Sequence, residues 1–467
     1  TGLDVCGVGI RTVDIARSWR DAGGAVFEVE LQPDLARYRH AEPGRDLDGE
    51  IIDMIFAGRS GRIPVAAVAG TNGKSTTCTM LHHIWTTAGR RTGLCTTASI
   101  RVGRDVVGTD DITGLPGTRI LLADPAVEAA VLEIQGWGML HEGHPCDRYD
   151  VSALLNVQND HLGLDGIETR EQMAGIKAEV LERARDAVVV NADDPLCMAV
   201  RHRAGTDRHI LVTRDPAAEA VVAHRRGGGE AVFLGERDGG TWIVLASGDS
   251  ETPVITVNDI PATMAGLVRV NETNAMFATA LAWAQGIDLT TIRTALGSFR
   301  NSVEQNPGRY NFIDGLPCAV LLDYAHNPDG IGELCRVVAG LPVEGRRLLC
   351  SLNIGNRHAD HVAAVAPGLA ELFTDLVLGA DPKWIKTSRD HVGDDPVTAM
   401  LTNTRKALLE NGFQEGRITT ASDPDAAVRA TLAMAGPGDL VVVLAEPYDV
   451  LPVLRDVIRE RNADASP

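Results

Sequence analysis

Aromatic residues are scarce, at 4% of the 467 positions, and no apolar run reaches the roughly 18–20 residues needed to cross a bilayer. No membrane-spanning helix is therefore expected. The opening residues "TGLDVCGVGI" lack a basic stretch followed by an apolar one, so no secretory signal is visible, and without an initiator Met a fragment or a processed product is expected. The eight cysteines (Cys6, Cys78, Cys95, Cys146, Cys197, Cys318, Cys335 and Cys350) form no Cys-x-x-Cys pair. Neither a disulfide framework nor a zinc site fits that scatter, and a reducing cytoplasm does. Cations are in deficit, with 44 Lys and Arg against 63 Asp and Glu and a formal charge of −19. DNA and RNA are thereby excluded as expected partners, because phosphate contacts need clustered Lys and Arg. Cationic substrates are compatible with such a balance, which also serves plain solubility. Internal repeats and low-complexity segments are missing too.

What is present is globular: 44% apolar and 23% charged residues, and enough length for two or three domains with ample cores. β-like apolar runs alternate with helical patterns nearly throughout, as in "IPVAAVAG" followed by "KSTTCTMLHHIWTTAG", then "AVEAAVLEIQ", "VSALLNV" and "RDAVVVNADD". Alternation of this kind implies α/β architecture, with parallel sheets flanked by helices. The pattern restarts near residue 317 with "PCAVLLDYAHNPDGIGELCRVVAG", then "RRLLCSLNIG", "DLVLGA" and "DLVVVLAE", which implies a second, smaller doubly wound domain. Residues 224–262 read as antiparallel hairpins decorating the first sheet, from short alternating segments between Gly and Asp turns. In the first 60 residues, "GGAVFEVELQPDL" reads as a strand and "DGEIIDMIFAG" as a helix ending at a glycine stop. The tail "RERNADASP" is expected to fray.

The stretch "VAAVAGTNGKSTTCTML", residues 65–81, carries the strongest chemical signal. An apolar strand runs into Gly70, Thr71, Asn72 and Gly73, and then Lys74, Ser75 and Thr76 open a helix. Glycines let backbone N–H groups crowd phosphate oxygens, the helix terminus adds its dipole, the lysine adds a point charge, and the serine offers a hydroxyl to Mg²⁺. The usual first glycine is replaced by Val68, and an ordinary glycine turn capping a helix is the plain alternative. An acid at a strand end stands out beside it, Glu133 in "AAVLEIQGWG", and "LLNVQNDHLGLDG" places Asp160 and His161 just after the next strand. At a strand's carboxyl end Glu133 would face the crevice where a metal ligand is needed.

The wording "GTNGKST" resembles the phosphate loop of the Mur ligase superfamily, whose members use ATP to phosphorylate a carboxylate and let an amine attack the acyl phosphate. The resemblance implies a P-loop parallel-sheet ATPase domain followed by a smaller Rossmann-like domain. It implies that Gly70 to Thr76 hold ATP, and that Mg²⁺ sits on Ser75 and Glu133. It further implies a second ion on His161 and on Lys177 of "TREQMAGIKAEVLE", a lysine commonly carbamylated in the family. Lys74, Glu133, His161 and Lys177 are then the catalytic group. Asn271 and Asn274 of "RVNETNAMFATALAW" are expected on the adenine side, although helix capping would account for them alone. Arg309 of "NPGRYNF" is expected at the phosphates, Asp323 of "LLDYAHNPDG" at the ribose, and His326 with Asn327 near the nucleotide.

Within that superfamily, "LLNVQNDHLGLDGIETREQMAGIKAEVLE", "VVNADDPL", "NPGRYNF" and "DYAHNP" are similar to the carboxy-terminal half of the cyanophycin synthetase family. The implied reaction adds arginine to an aspartate chain, in a cytoplasmic enzyme whose relatives form homo-oligomers. The implied partners are a carboxylate acceptor and an amino-acid donor. Residues 1–62 resemble the end of an ATP-grasp domain and a linker, 63–300 the ATP-binding domain and 301–467 the last domain. Residues 1–64 do not read as a UDP-sugar-binding domain, so a peptidoglycan ligase is not expected. Departures exist. Gly136 and Trp137 replace an arginine and a glycine of the family's turn after the metal-binding acid. Gly9, Glu28 and Glu30 keep at most part of an ATP-grasp metal site. "GADPKWIKTSRDHVGDDP" lacks a basic turn, and "IGNRHADH" (Gly355, Arg357, Asp360) matches only in part. Two further readings therefore stay open: a divergent ligase forming another isopeptide or amide bond, and a nucleotide-binding scaffold without catalysis.

Overall fold

The computed structural model describes residues 5–58, 60–109, 113–159, 162–163, 165–354, 359–380, 395–421 and 423–464. Two compact units result, Thr1–Ile63 and Pro64–Pro467. In the first, β1 (Gly7–Arg11) pairs antiparallel with β2 (Ala25–Glu30), setting Gly7 opposite Glu30. Helices Leu35–Ala41 and Leu47–Phe56 follow, started by Asp34 and Asp46, whose carboxylates accept from Ala36 N and Gly49 N. The second helix stops one residue before the expected glycine. Ala57 itself takes the left-handed conformation, at φ 48°, and Gly58 continues it.

The larger unit opens with an eleven-stranded sheet. Its strands are β3 (Val65–Ala69), β4 (Thr92–Cys95), β5 (Ile100–Val102), β6 (Asp105–Gly108), β7 (Ala129–Ile134), β8 (Tyr149–Leu154), β9 (Ala184–Asn191), β10 (His209–Thr213), β11 (Glu230–Arg237), β12 (Gly240–Ser247) and β13 (Ser250–Thr256). The order is β13-β12-β11-β10-β9-β8-β3-β7-β4-β5-β6. From β11 to β4 every pairing is parallel, and antiparallel strands extend both edges. Strands of the parallel part are apolar without alternation because helices cover both faces. Helices Lys74–Thr87 and Arg269–Ala284 pack together, and Trp85, Ile84 and Phe277 join Val68 and Val131 in one core.

The expectation of antiparallel hairpins over 224–262 needs correcting at its start. Glu219–Arg226 is a helix, so β10, this helix and β11 form a crossover unit, and β11 runs parallel to β10. From Glu230 on the expectation holds, with antiparallel hairpins β11–β12 and β12–β13. The β5–β6 hairpin at the opposite edge was not anticipated, although Gly103 turns it at φ 60°.

The second sheet contains β14 (Asn311–Ile313), β15 (Ala319–Asp323), β16 (Arg347–Ser351), β17 (Asp375–Leu378), β18 (Ile418–Thr420) and β19 (Leu440–Leu444), in the order β14-β15-β19-β16-β17-β18. All pairings except β14 with β15 are parallel. Alternate residues of β19 feed two cores. Leu440, Val442 and Leu444 face the layer of helix Pro328–Gly340, while Val441 and Val443 face helices Pro424–Met434 and Pro447–Asp464. That is the doubly wound arrangement expected. Of the tail expected to fray, residues up to Asp464 are helical, with Leu454 and Val457 buried before them and Glu460 paired with Arg429 at 2.7 Å, while residues 465–467 lie outside the described residues.

This topology fixes the position of the site. The chain leaves β3 towards β4 on one side and reaches β8 on the other, so the carboxyl ends of β7, β3 and β8 border one crevice. Gly70, Gln135 and Asn156 emerge there. No helix among the described residues is long and apolar enough to cross a membrane.

Candidate active site

The loop after β3 wraps the start of helix Lys74–Thr87, with Gly73 as its N-cap at φ 89°. A Cβ there would lie 2.4 Å from Asn274 Oδ1, so close packing and the left-handed backbone both require glycine. Lys74 Nζ donates to Thr71 O at 2.9 Å and lies 3.9 Å from Glu133 Oε1. Glu133, on β7 directly beside β3, is only 3% exposed, and its Oε2 accepts from Thr97 N at 3.2 Å. Ser75 Oγ is 3.3 Å from Thr97 Oγ1 and accepts from Arg309 Nη2 at 3.3 Å. Lys74, Ser75, Glu133 and Arg309 therefore converge.

Asn156, just past β8, clamps the loop from behind. Its Oδ1 accepts from Thr71 N at 3.0 Å and from Asn72 N at 2.9 Å, and its Nδ2 donates to Asn72 O at 3.0 Å. The sequence reading passed over it, although the strand-end reasoning that found Glu133 applies equally in "LLNVQNDH".

Lys177 ends helix Arg170–Lys177, which a Thr169–Gln172 capping box starts. It is 5% exposed, and its Nζ donates to Thr71 Oγ1 at 2.8 Å, a hydroxyl and not a carboxylate. Burial first, and then the charge of Lys74, lower this ammonium from its usual value to about 7. A surface lysine paired with an acid is thus excluded.

The amides expected at adenine are buried in a hydrogen-bonded chain. Asn274 Oδ1 accepts from Thr77 Oγ1 at 3.2 Å, Asn274 Nδ2 donates to Asn271 Oδ1 at 3.1 Å, and Asn271 Nδ2 donates to Ala262 O at 2.8 Å. Asp323 is buried with Oδ2 accepting from Tyr310 N at 2.9 Å and Oδ1 from Ala325 N at 2.7 Å. Desolvation is the main influence on its carboxyl and shifts the pKa upward, against the pull of Arg309. His326 Nδ1 donates to Tyr324 O at 2.8 Å, because a carbonyl can only accept. Arg309 lies over the Tyr324 ring, 5.1 Å from its centroid. Asn327 starts helix Pro328–Gly340 and forms a reciprocal amide pair with Asn72, at 2.9 and 3.1 Å.

A cavity of about 710 Å³ collects these groups. Gly70 to Thr76, Glu133, Lys177, Asn271, Asn274, Arg309, Asp323 and His326 all line it, and Asn327 reaches it through Asn72. Asp160 and His161 lie outside the described residues, as do Gly355, Arg357 and most of the "GADPKWIKTSRDHVGDDP" stretch. Among the described residues, no group of three or more His, Cys, Asp and Glu side chains forms a metal cage. An oxygen pair such as Ser75 and Glu133 nevertheless suits Mg²⁺, which keeps waters and substrate phosphates in its shell.

Two family models match the chain in succession, the Mur ligase middle domain over residues 68–282 and the Mur ligase glutamate ligase domain over residues 308–446. The chain belongs to the Mur ligase family. Among curated Mur ligase relatives, the cyanophycin synthetase of Crocosphaera subtropica is 32% identical over 95% of this chain and 50% of that protein. The cyanophycin synthetase of Synechocystis sp. is 36% identical over 88% of this chain and 47% of that protein. The chain thus spans about half the length of the curated relatives it matches. A solved bifunctional folylpolyglutamate synthase/dihydrofolate synthase with Mn, AMPPNP and L-glutamate bound shares the fold at 19% identity and a TM-score of 0.59, covering 90% of this chain and 97% of that one.

Proposed function

We propose that this Mur ligase chain is an ATP-dependent acid–amino-acid ligase that releases ADP and phosphate. The observation that carries the reading is the meeting of Lys74, Ser75, Glu133 and Arg309 at the strand ends, beside the buried amine of Lys177. The loop N–H groups receive the phosphates, and Lys74 exchanges Thr71 O for an oxygen of the terminal phosphate. Arg309 spans from the second sheet's side to Ser75 and adds a cation where negative charge develops. Closure through Asn72 and Asn327 excludes water from the acyl phosphate until the amine attacks. With its ammonium shifted to about 7, Lys177 offers a neutral amine to CO₂, gives up a proton and becomes a carbamate. Ser75 and Glu133 would hold one Mg²⁺, and Lys177 with His161 a second, supplying charge neutralisation.

The finer proposal is arginine addition to an aspartate chain, with residues 1–62 as the end of an ATP-grasp domain. A ligase forming a different amide is the second reading, favoured by the half-exposed Trp137 on the cavity wall. The test is phosphate release with ATP over a panel of amino acids and Asp-Arg oligomers, followed by mass spectrometry of products. An arginine-bearing product supports the first reading, any other amide product the second. Failure to release phosphate with every pair would contradict both.

Two substitutions probe the frame around the loop. Asn156→Ala removes three hydrogen bonds worth about 1 kcal/mol each, so Mg-ADP binding by calorimetry should weaken about ten- to a hundredfold. Asn327→Asp keeps an acceptor for Gly330 N but sets two acceptors against each other at Asn72. The KM for ATP should rise several-fold while the melting temperature barely moves. An unchanged KM would show that the amide pair does not assist closure.

A further inference from the structure

The acceptor end of the cavity has a wall that phosphate chemistry does not need. Helix Gly136–Glu142 begins two residues after β7, and its inward residue, Met139, is buried. Trp137 and Leu140, three apart and so on one helix face, stay 45% and 43% exposed, and both line the cavity. The indole is braced. His141 lies against it with ring centroids 4.3 Å apart, and His141 Nε2 is 3.1 Å from Asp165 Oδ2. Ile167 and Met173, both buried, extend the apolar lining.

The position of this wall relative to the reacting groups is fixed by Gly136. A Cβ at that residue would sit 3.4 Å from Met173 Sδ and 3.6 Å from Lys177 Cε, so the backbone carrying Trp137 abuts the Lys177 side chain. A carboxylate placed near Lys177 and Glu133 would carry whatever is attached to it across the indole. Leaving a Trp and a Leu half in water costs apolar burial, which a ligand of matching shape restores.

The geometry points to an acceptor subsite built by Trp137, Leu140, Ile167 and Met173 for a carboxylic acid bearing a flat apolar group. The inference rests on the second ligase reading, that of a different amide, and on that reading for which end of the cavity holds the acceptor; arginine addition to an aspartate chain would exclude it. Leu140, Ile167 and Met173 on the same cavity lining favour an apolar group over a guanidinium, and Asp165 is already engaged by His141.

The experiment measures binding, by calorimetry and indole fluorescence, of N-acetyl-phenylalanine, N-acetyl-alanine and an Asp-Arg dipeptide to the protein with Mg-AMPPNP. N-acetyl-phenylalanine should bind at least about tenfold tighter than N-acetyl-alanine. Trp137→Ala should bring that ratio close to one, and Trp137→Phe should restore most of it. Equal binding of the two probes, no binding of either, a ratio untouched by Trp137→Ala, or tightest binding by the Asp-Arg dipeptide would each overturn the inference. Phosphate release is scored separately. A Trp137-dependent preference without phosphate release would sink the ligase reading and leave the subsite standing.

Discussion

Lys74→Ala is expected to abolish ATP-dependent phosphate release, lowering kcat/KM by about a thousandfold or more. The ammonium is held ready by Thr71 O at 2.9 Å and by Glu133 at 3.9 Å, neither of which binds it as tightly as a triphosphate would. In phosphoryl transfer the protein contributes mainly position and charge, so removing the cation that meets the terminal phosphate removes a stabilisation made chiefly in the transition state. The loop itself should survive the loss of the Lys74 bond to Thr71 O, because Asn156 still holds Thr71 and Asn72 through three hydrogen bonds. Glu133 loses its counter-charge in the variant, so a modest loss of stability should accompany the loss of rate. Retention of more than a tenth of the wild-type rate would show that the lysine is a structural tether.

Lys177→Met should separate stability from activity. In the unfolded chain this ammonium titrates near the ordinary lysine value of about 10.4, whereas burial in the fold brings it to about 7. Between those two values the unfolded state holds a proton that the folded state has released, so this group makes stability rise with pH across that window. Below about 7 the penalty of burying the charge is present in full. A methionine of similar length removes both the penalty and the slope. Without bicarbonate at pH 7, the variant should be more stable by about 2–4 kcal/mol, seen as a melting temperature raised by several degrees. Activity should fall at least about a hundredfold, as expected where stability is given up for function. The smaller Lys177→Ala leaves room for a substitute, and short carboxylic acids should restore part of the rate. Full activity in Lys177→Ala without any acid would remove Lys177 from the mechanism.

The legible part of the molecule was the part where chemistry leaves few options. A backbone that crowds a triphosphate needs glycine next to lysine, and Gly73 is indeed irreplaceable against Asn274. Continuous apolar runs such as "VAAVA" gave the parallel sheets, since alternation would have left one face wet. Less legible were features decided by tertiary packing. The hairpin reading starts at residue 224, yet residues up to Arg226 belong to the helix Glu219–Arg226 that bridges β10 to a parallel β11. The carboxy-terminal residues are polar enough to suggest fraying, but Leu454 and Val457 anchor their helix. Asn156 was overlooked because asparagine after a strand ordinarily signals only a turn; its three bonds to a loop more than eighty residues away in sequence appear only in the fold. Asn271 and Asn274, read singly as capping residues, turned out to be links of a buried chain reaching Thr77 of the phosphate-loop helix.

A crystal structure with Mg-AMPPNP bound tests the central claim most directly. The expected result is a terminal phosphate within hydrogen-bonding distance of Lys74 Nζ and the loop N–H groups, with Mg²⁺ between it and the oxygens of Ser75 and Glu133. A nucleotide bound away from Gly70 to Thr76, or a cavity that takes up none at millimolar concentration, would contradict the account.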